Sequence, residues 1–193
     1  MEASPRGRAV FGVFGLVVLG VTLRVVRRSP AATWLALMLA VVVVALSVAH
    51  AITPHPALPA AIAIWQSIFY FYATGSLIAY MLQDWVATTD ELFAAAATFT
   101  LLAWAFAYVY TVVQAIEPGS FTAAVDPDAQ RTWMELLFLS FTVLTSTGLS
   151  DVVPIEPFAR SVCMIEQLCG LGYVAVLVSR VIGLTVLRGT GSE

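Results

Sequence analysis

Between Arg131 and Pro154 the chain reads Arg-Thr-Trp-Met-Glu-Leu-Leu-Phe-Leu-Ser-Phe-Thr-Val-Leu-Thr-Ser-Thr-Gly-Leu-Ser-Asp-Val-Val-Pro. An apolar run, Trp133 to Leu144, gives way to the polar Thr145-Ser146-Thr147-Gly148-Leu149-Ser150-Asp151, and Pro154 stops it. Trp133–Leu144 is too short to cross a bilayer, whose ~30 Å of hydrocarbon needs ~20 helical residues. Both flanking loops fall on the same side of the membrane, so this piece must dip in and return. Backbone does that only where it is buried in protein or lines a water-filled path. A short helix whose C-terminus points into the membrane also aims roughly half an electron of negative charge along its axis. That favours a cation. Helix, re-entrant loop, helix therefore reads as a cation pore. Catalysis would need a nucleophile with a base, a metal cluster or paired acids at one depth. The chain has no Gly-x-Ser-x-Gly, no His-Glu-x-x-His and no pair of intramembrane acids, so an enzyme is not expected.

The elements that must position this segment are membrane helices. Of 193 residues, 60% are hydrophobic and only 11% charged, and the mean hydropathy is +0.91. A soluble domain carries about 25% charge. The net charge of −3 leaves no basic face for nucleic acid. Five stretches are apolar enough to span: Ala9–Val26, Ala31–Ile52, Leu58–Leu82, Leu92–Ile116 and Phe158–Leu187. The first is short and interrupted by Arg24, so a surface-lying segment is its alternative. Arg24, Arg27 and Arg28 place their end in the cytoplasm by the positive-inside rule. Alternation then puts Asp84–Glu91 inside, Glu117–Arg131 outside and the C-terminus inside, where Arg180 and Arg188 agree. Trp34, Trp85 and Trp133 fall near span ends, as interfacial aromatics do. The expected organisation is a three-helix region over residues 1–83, a cytoplasmic linker over 84–91 and a pore domain over 92–188. Within the last, an outer helix covers 92–116, a pore helix 132–144, the loop of interest 146–150 and an inner helix 158–187.

From Asp90 to Leu187 the chain resembles the pore module of the potassium-channel superfamily in its small bacterial branch. The carrying residues are Ser140-Phe141-Thr142 through Asp151-Val152-Val153-Pro154, Phe158-Ala159-Arg160-Ser161, and Glu166-Gln-Leu-Cys-Gly170-Leu-Gly-Tyr173. Glu117-Pro118-Gly119-Ser120-Phe121, after a Trp/Tyr-rich helix, is also similar to that branch. The resemblance implies an all-α homotetramer with a selectivity filter of Ser146, Thr147, Gly148, Leu149 and Ser150. Stacked carbonyls would replace the potassium hydration shell there, and the Ser146 hydroxyl would make the lowest site. A monovalent cation would sit at Ser146, Thr147 and Gly148. No cofactor is implied beyond permeant potassium or sodium, and the partners are the lipid bilayer, those ions and further copies of the chain.

Against the family's Thr-Val-Gly-Tyr-Gly, only Gly148 is identical. Leu149 replaces a tyrosine, a change also found in second-repeat filters of two-pore potassium channels. Ser150 replaces a glycine whose backbone conformation costs other residues ~1 kcal/mol or more. Thr147 adds a hydroxyl that needs a partner or water. Three readings follow: a potassium channel with a degraded filter, a weakly selective cation channel, or a filter that conducts only when a partner or ligand reshapes it. A non-conducting or regulatory membrane subunit is the rival from another class.

Thr142, Thr145, Asp151 and Glu166 are the expected filter supports. Asp151 would brace the pore helix, as the resemblance implies. Glu166 lies well inside the last helix, where an ionised side chain is expensive. It is either a proton-sensitive control or a hydrogen-bonded acid tying the inner helix to the pore helix through Thr142 or Thr145. Gly170 and Gly172 are either a gating hinge or small residues for close packing. No helix carries Arg at every third position, so a voltage sensor is not expected, and the few residues after Arg188 leave no room for a cytoplasmic sensor domain. The Ala-, Val- and Arg-rich, Lys-free composition points to a bacterial inner membrane.

Overall fold

The architecture is that of a computed structural model, which describes residues 33–82 and 89–190. The first expected crossing, Ala9–Val26, lies outside them, as do Arg24, Arg27, Arg28 and Trp85. Five helices follow in order: α1 (Thr33–Ile52), α2 (Leu58–Met81), α3 (Thr89–Ile116), α4 (Trp133–Leu144) and α5 (Pro157–Thr190). Among the described residues four helices are long and apolar enough to cross a membrane: Trp34–Ile52, Leu58–Met81, Phe93–Ile116 and Pro157–Arg180. The chain is an all-α membrane protein, and α4 is the short apolar helix that does not span.

Proline sets several boundaries. Pro59 stands in the first turn of α2 and Pro157 opens α5, where the missing amide proton would be unpaired in any case. Pro118 is the second residue after the end of α3. α3 begins at Thr89, ahead of the outer helix expected from 92, and residues 84–88 of the expected linker lie outside the described residues. The inner helix, expected to stop at Leu187, continues to Thr190.

One element was not anticipated. β1 (Phe121–Ala123) and β2 (Val152–Pro154) pair antiparallel, with Phe121 opposite Pro154 and Ala123 opposite Val152. This ribbon joins the loop before α4 to the loop after it, and the Ile155 amide adds a bond to the Ser120 carbonyl at 2.9 Å.

α3 is the hub, packing against α2, α4 and α5. A ring ladder runs through it. Tyr70 of α2 stacks on Tyr108 of α3 at 5.7 Å, and Tyr108 meets Trp133, the first residue of α4, at 5.5 Å. Trp104 closes on the same Trp133 at 4.9 Å. Trp133 is thus a packing residue of the α3–α4 junction, whereas Trp34 is 67% exposed, as an interfacial aromatic would be. Through this ladder α2, expected to be peripheral, bears on the base of α4.

Candidate functional site

The start of α4 is fixed by three devices. Thr132 and Glu135 form a capping box: the Thr132 hydroxyl accepts from the Glu135 amide at 3.3 Å, and the Glu135 carboxylate accepts from the Thr132 amide at 2.6 Å. Such a box satisfies two amides that a helix start leaves unpaired. Gln114, near the end of α3, grips the Arg131 backbone from both sides. Its carbonyl accepts from Arg131 N at 2.8 Å, and its amide donates to Arg131 O at 3.0 Å. The buried Arg131 side chain then gathers the preceding loop, donating to the carbonyls of Val125, Asp126 and Ala129 and pairing with Glu135 at 3.6 Å.

The other end of α4 carries the expected filter. The Ser146 amide bonds to the Val143 carbonyl at 2.9 Å, and the Thr147 amide reaches the Thr142 carbonyl at 3.0 Å. Ser146 itself has φ +56°. These two crossed bonds around one left-handed residue form a Schellman motif. The Gly148 amide shares the Thr142 carbonyl at 3.2 Å, with φ +66° at Gly148. Every peptide bond here is trans, so each carbonyl points opposite to the amide it is bonded to. With the amides of Thr147 and Gly148 turned back on α4, the carbonyls of Ser146 and Thr147 face away from it. Thr145 through Leu149 are exposed.

The supports divide. Thr142 serves through its carbonyl, since its hydroxyl donates to Leu139 O at 2.8 Å within α4. The Thr145 hydroxyl donates to Phe141 O at 2.6 Å and lies 3.1 Å from the Thr147 hydroxyl. The Thr147 hydroxyl, whose needs the sequence left open, therefore has a partner. Asp151 is exposed, and no contact ties its carboxylate to α4 among the described residues. The turn after Leu149 is held by Ser150 instead, whose hydroxyl accepts from the Val152 amide at 3.1 Å. Ser150 is not in the left-handed region, so the conformation expected to strain it falls on Ser146.

Glu166 joins three helices by other partners than Thr142 or Thr145. It is 0% exposed. The Tyr110 hydroxyl of α3 meets one carboxyl oxygen, and Ser140 Oγ of α4 meets the other. Ser140 Oγ also bonds to Ala103 O of α3 at 2.8 Å. Ser140 and Thr142 stand on different faces of α4, which is why the inner-helix acid reaches one and not the other. Glu166 is part of a buried stripe of α5 with Ala159, Val162, Cys163 and Gly170.

Gly170 is a packing residue. A Cβ there would stand 2.1 Å from the Leu144 carbonyl oxygen and 2.9 Å from its carbon, so the last turn of α4 rests directly on the α5 backbone. α5 runs unbroken through both glycines. A Cβ on Gly172 would meet nothing within 4 Å.

Tyr110 and Gln114 were not singled out by sequence reasoning, and Ser140 and Arg131 entered only as a motif residue and a segment boundary, with no role assigned. Their signal is that of polar side chains in or beside apolar spans, where each must find a partner inside the protein. A family model described as an ion channel matches residues 38–186. The match reaches back into α1, well upstream of Asp90 where the motif resemblance starts. No curated protein and no solved structure matches the chain.

Proposed function

The chain belongs to the ion-channel family, with the pore domain of two-transmembrane-type potassium channels, and from that premise we propose that it is a tetrameric channel for monovalent cations. It lies in the bacterial inner membrane with its C-terminus in the cytoplasm. Four copies bring their Ser146–Ser150 loops to one axis, one quarter of a filter each. The observation that carries this reading is the Schellman turn, which directs the Ser146 and Thr147 carbonyls away from α4 onto an exposed face. Carbonyl oxygens so aimed replace the water around a dehydrated cation, and the negative end of α4 adds to the field.

Assembly follows from the same geometry. Polar backbone exposed at membrane depth is tolerated only beside protein or water. α5 has large apolar side chains outside its buried stripe, among them Met164, Ile165, Leu168, Leu171 and Val174, all more than half exposed except Val174 at 46%. Further copies supply the missing neighbours and a shared water-filled axis.

A weakly selective pore is the second reading, supported by one observation. Ser150 does not adopt the left-handed backbone of the glycine it replaces, so its carbonyl does not extend the row of ligands in the family's way. The test is the double variant Leu149→Tyr with Ser150→Gly in reconstituted vesicles. It should raise the preference for potassium over sodium. An unchanged permeability ratio would mean that other residues form the filter.

A further inference from the structure

The Tyr110–Glu166–Ser140–Ala103 junction holds three acceptor oxygens, two of Glu166 and one of Ala103, and with Glu166 ionised only two hydroxyl protons to serve them. Tyr110 and Ser140 each own one hydroxyl proton. The Tyr110 proton goes to one Glu166 oxygen. The other Glu166 oxygen meets Ser140 Oγ, which also lies 2.8 Å from Ala103 O. A carbonyl oxygen can only accept, so the Ser140 proton is needed for Ala103. With Glu166 ionised, Ser140 would have to choose, leaving two oxygens face to face without a proton between them. With a proton on Glu166, all three contacts are satisfied: Glu166 donates to Ser140, Ser140 donates to Ala103 O, and Tyr110 donates to Glu166.

The surroundings favour the same assignment. On α3 the titratable group facing the acid is Tyr110 and on α4 there is only the Ser140 hydroxyl, while on α5 itself the thiols of Cys163, beside the Tyr110 hydroxyl, and Cys169 lie near enough to feel the acid. Among the described residues no salt bridge includes Glu166. A carboxylate taken from water with no cation beside it is among the costliest groups to bury.

We propose that Glu166 is a neutral carboxylic acid in the folded protein at neutral pH, acting as the hydrogen-bond donor that fixes α5 to α4 through Ser140. It is a positioning residue: it touches no permeant ion and acts on the filter through the helix that carries it. Two contacts about one turn apart converge on that helix from behind, with Ser140 held by Glu166 and the Leu144 carbonyl seated on Gly170 of the same α5 face.

Infrared spectra of the full chain in lipid at pH 7 test this directly. A protonated carboxylic acid has a carbonyl stretch that ionised Asp and Glu lack. The wild type should show it, Glu166→Gln should lose it, and Asp151→Asn should keep it. Ser140→Ala should move the band to higher frequency, because the acid proton loses its acceptor. Absence of the band, or its persistence unshifted in both Glu166→Gln and Ser140→Ala, overturns the proposal. This readout stands even if the vesicles pass no ion, so its failure is separate from failure of the channel reading. Flux gives a second arm. A Gln amide can donate to Ser140 and accept from Tyr110, so Glu166→Gln should keep wild-type cation flux where Glu166→Ala loses it. Equal loss in both would show that the negative charge itself is required.

Discussion

Ser146 ends α4 in a position that glycine usually fills. An L-residue held at positive φ costs ~1 kcal/mol relative to glycine, and the Schellman bonds to Val143 and Thr142 supply what holds it. Ser146→Gly should therefore raise the thermal stability of the assembled protein by about 1 kcal/mol, while weakening cation binding by removing a hydroxyl; calorimetry with and without potassium would separate the two effects. Gly148 gives the opposite case. A Cβ there meets nothing of its own chain within 4 Å, so within one chain Gly148→Ala is penalised by its φ of +66°, a loss of about 1 kcal/mol. The helix-then-loop break at Leu144 was legible in the sequence, because a short apolar run gives way there to a run of hydroxyls. The strain was misplaced. The family pattern drew attention to Ser150, whereas the crossed hydrogen bonds that put Ser146 at positive φ depend on which carbonyl is free at the end of α4.

At the scale of elements, α4 is clamped at both ends, and the clamps make separable predictions. Gly170→Ala would drive a methyl group into the Leu144 carbonyl at 2.1 Å, backbone against backbone, with no flexible side chain to yield. Overpacking of this kind costs roughly 1–3 kcal/mol or more. The variant should lose flux and thermal stability, while Gly172→Ala, with open space around it, should keep both. If the two behave alike, α5 does not support α4 at this point. At the opposite end, Gln114→Leu removes two bonds to the Arg131 backbone and leaves a buried amide and carbonyl unpaired, at about 1–3 kcal/mol; unfolding in detergent would report it. The limits of α4 were close to legible, 132–144 expected against Trp133–Leu144 observed, since the change from apolar to polar marks one end. The Gln114 latch and the β1–β2 ribbon were not. Both join residues far apart in sequence, and no periodicity in either partner points to the other.

For the whole molecule, four long apolar helices and the family were legible from composition and ordered motifs, because hydrocarbon thickness leaves few alternatives. Orientation in the membrane was argued from Arg24, Arg27 and Arg28, which lie outside the described residues. The proposed tetramer would cover what a single chain leaves exposed: the Ser146–Ser150 loop, with Leu149 at 78% exposure, and the apolar flank of α5 around Leu168 and Leu171. Native mass spectrometry from lipid discs should give four copies of the chain, and Leu168→Asp, which places a charge on that flank, should shift the population toward monomer. The most direct test of the central claim is the reversal potential of the purified protein in planar bilayers, with potassium chloride graded across the membrane and sodium chloride substituted on one side. A cation pore is predicted, with reversal toward the potassium equilibrium potential if Ser150 still permits selectivity and nearer zero under the sodium substitution if it does not. Reversal at the chloride potential, or no current from an intact tetramer, would contradict it.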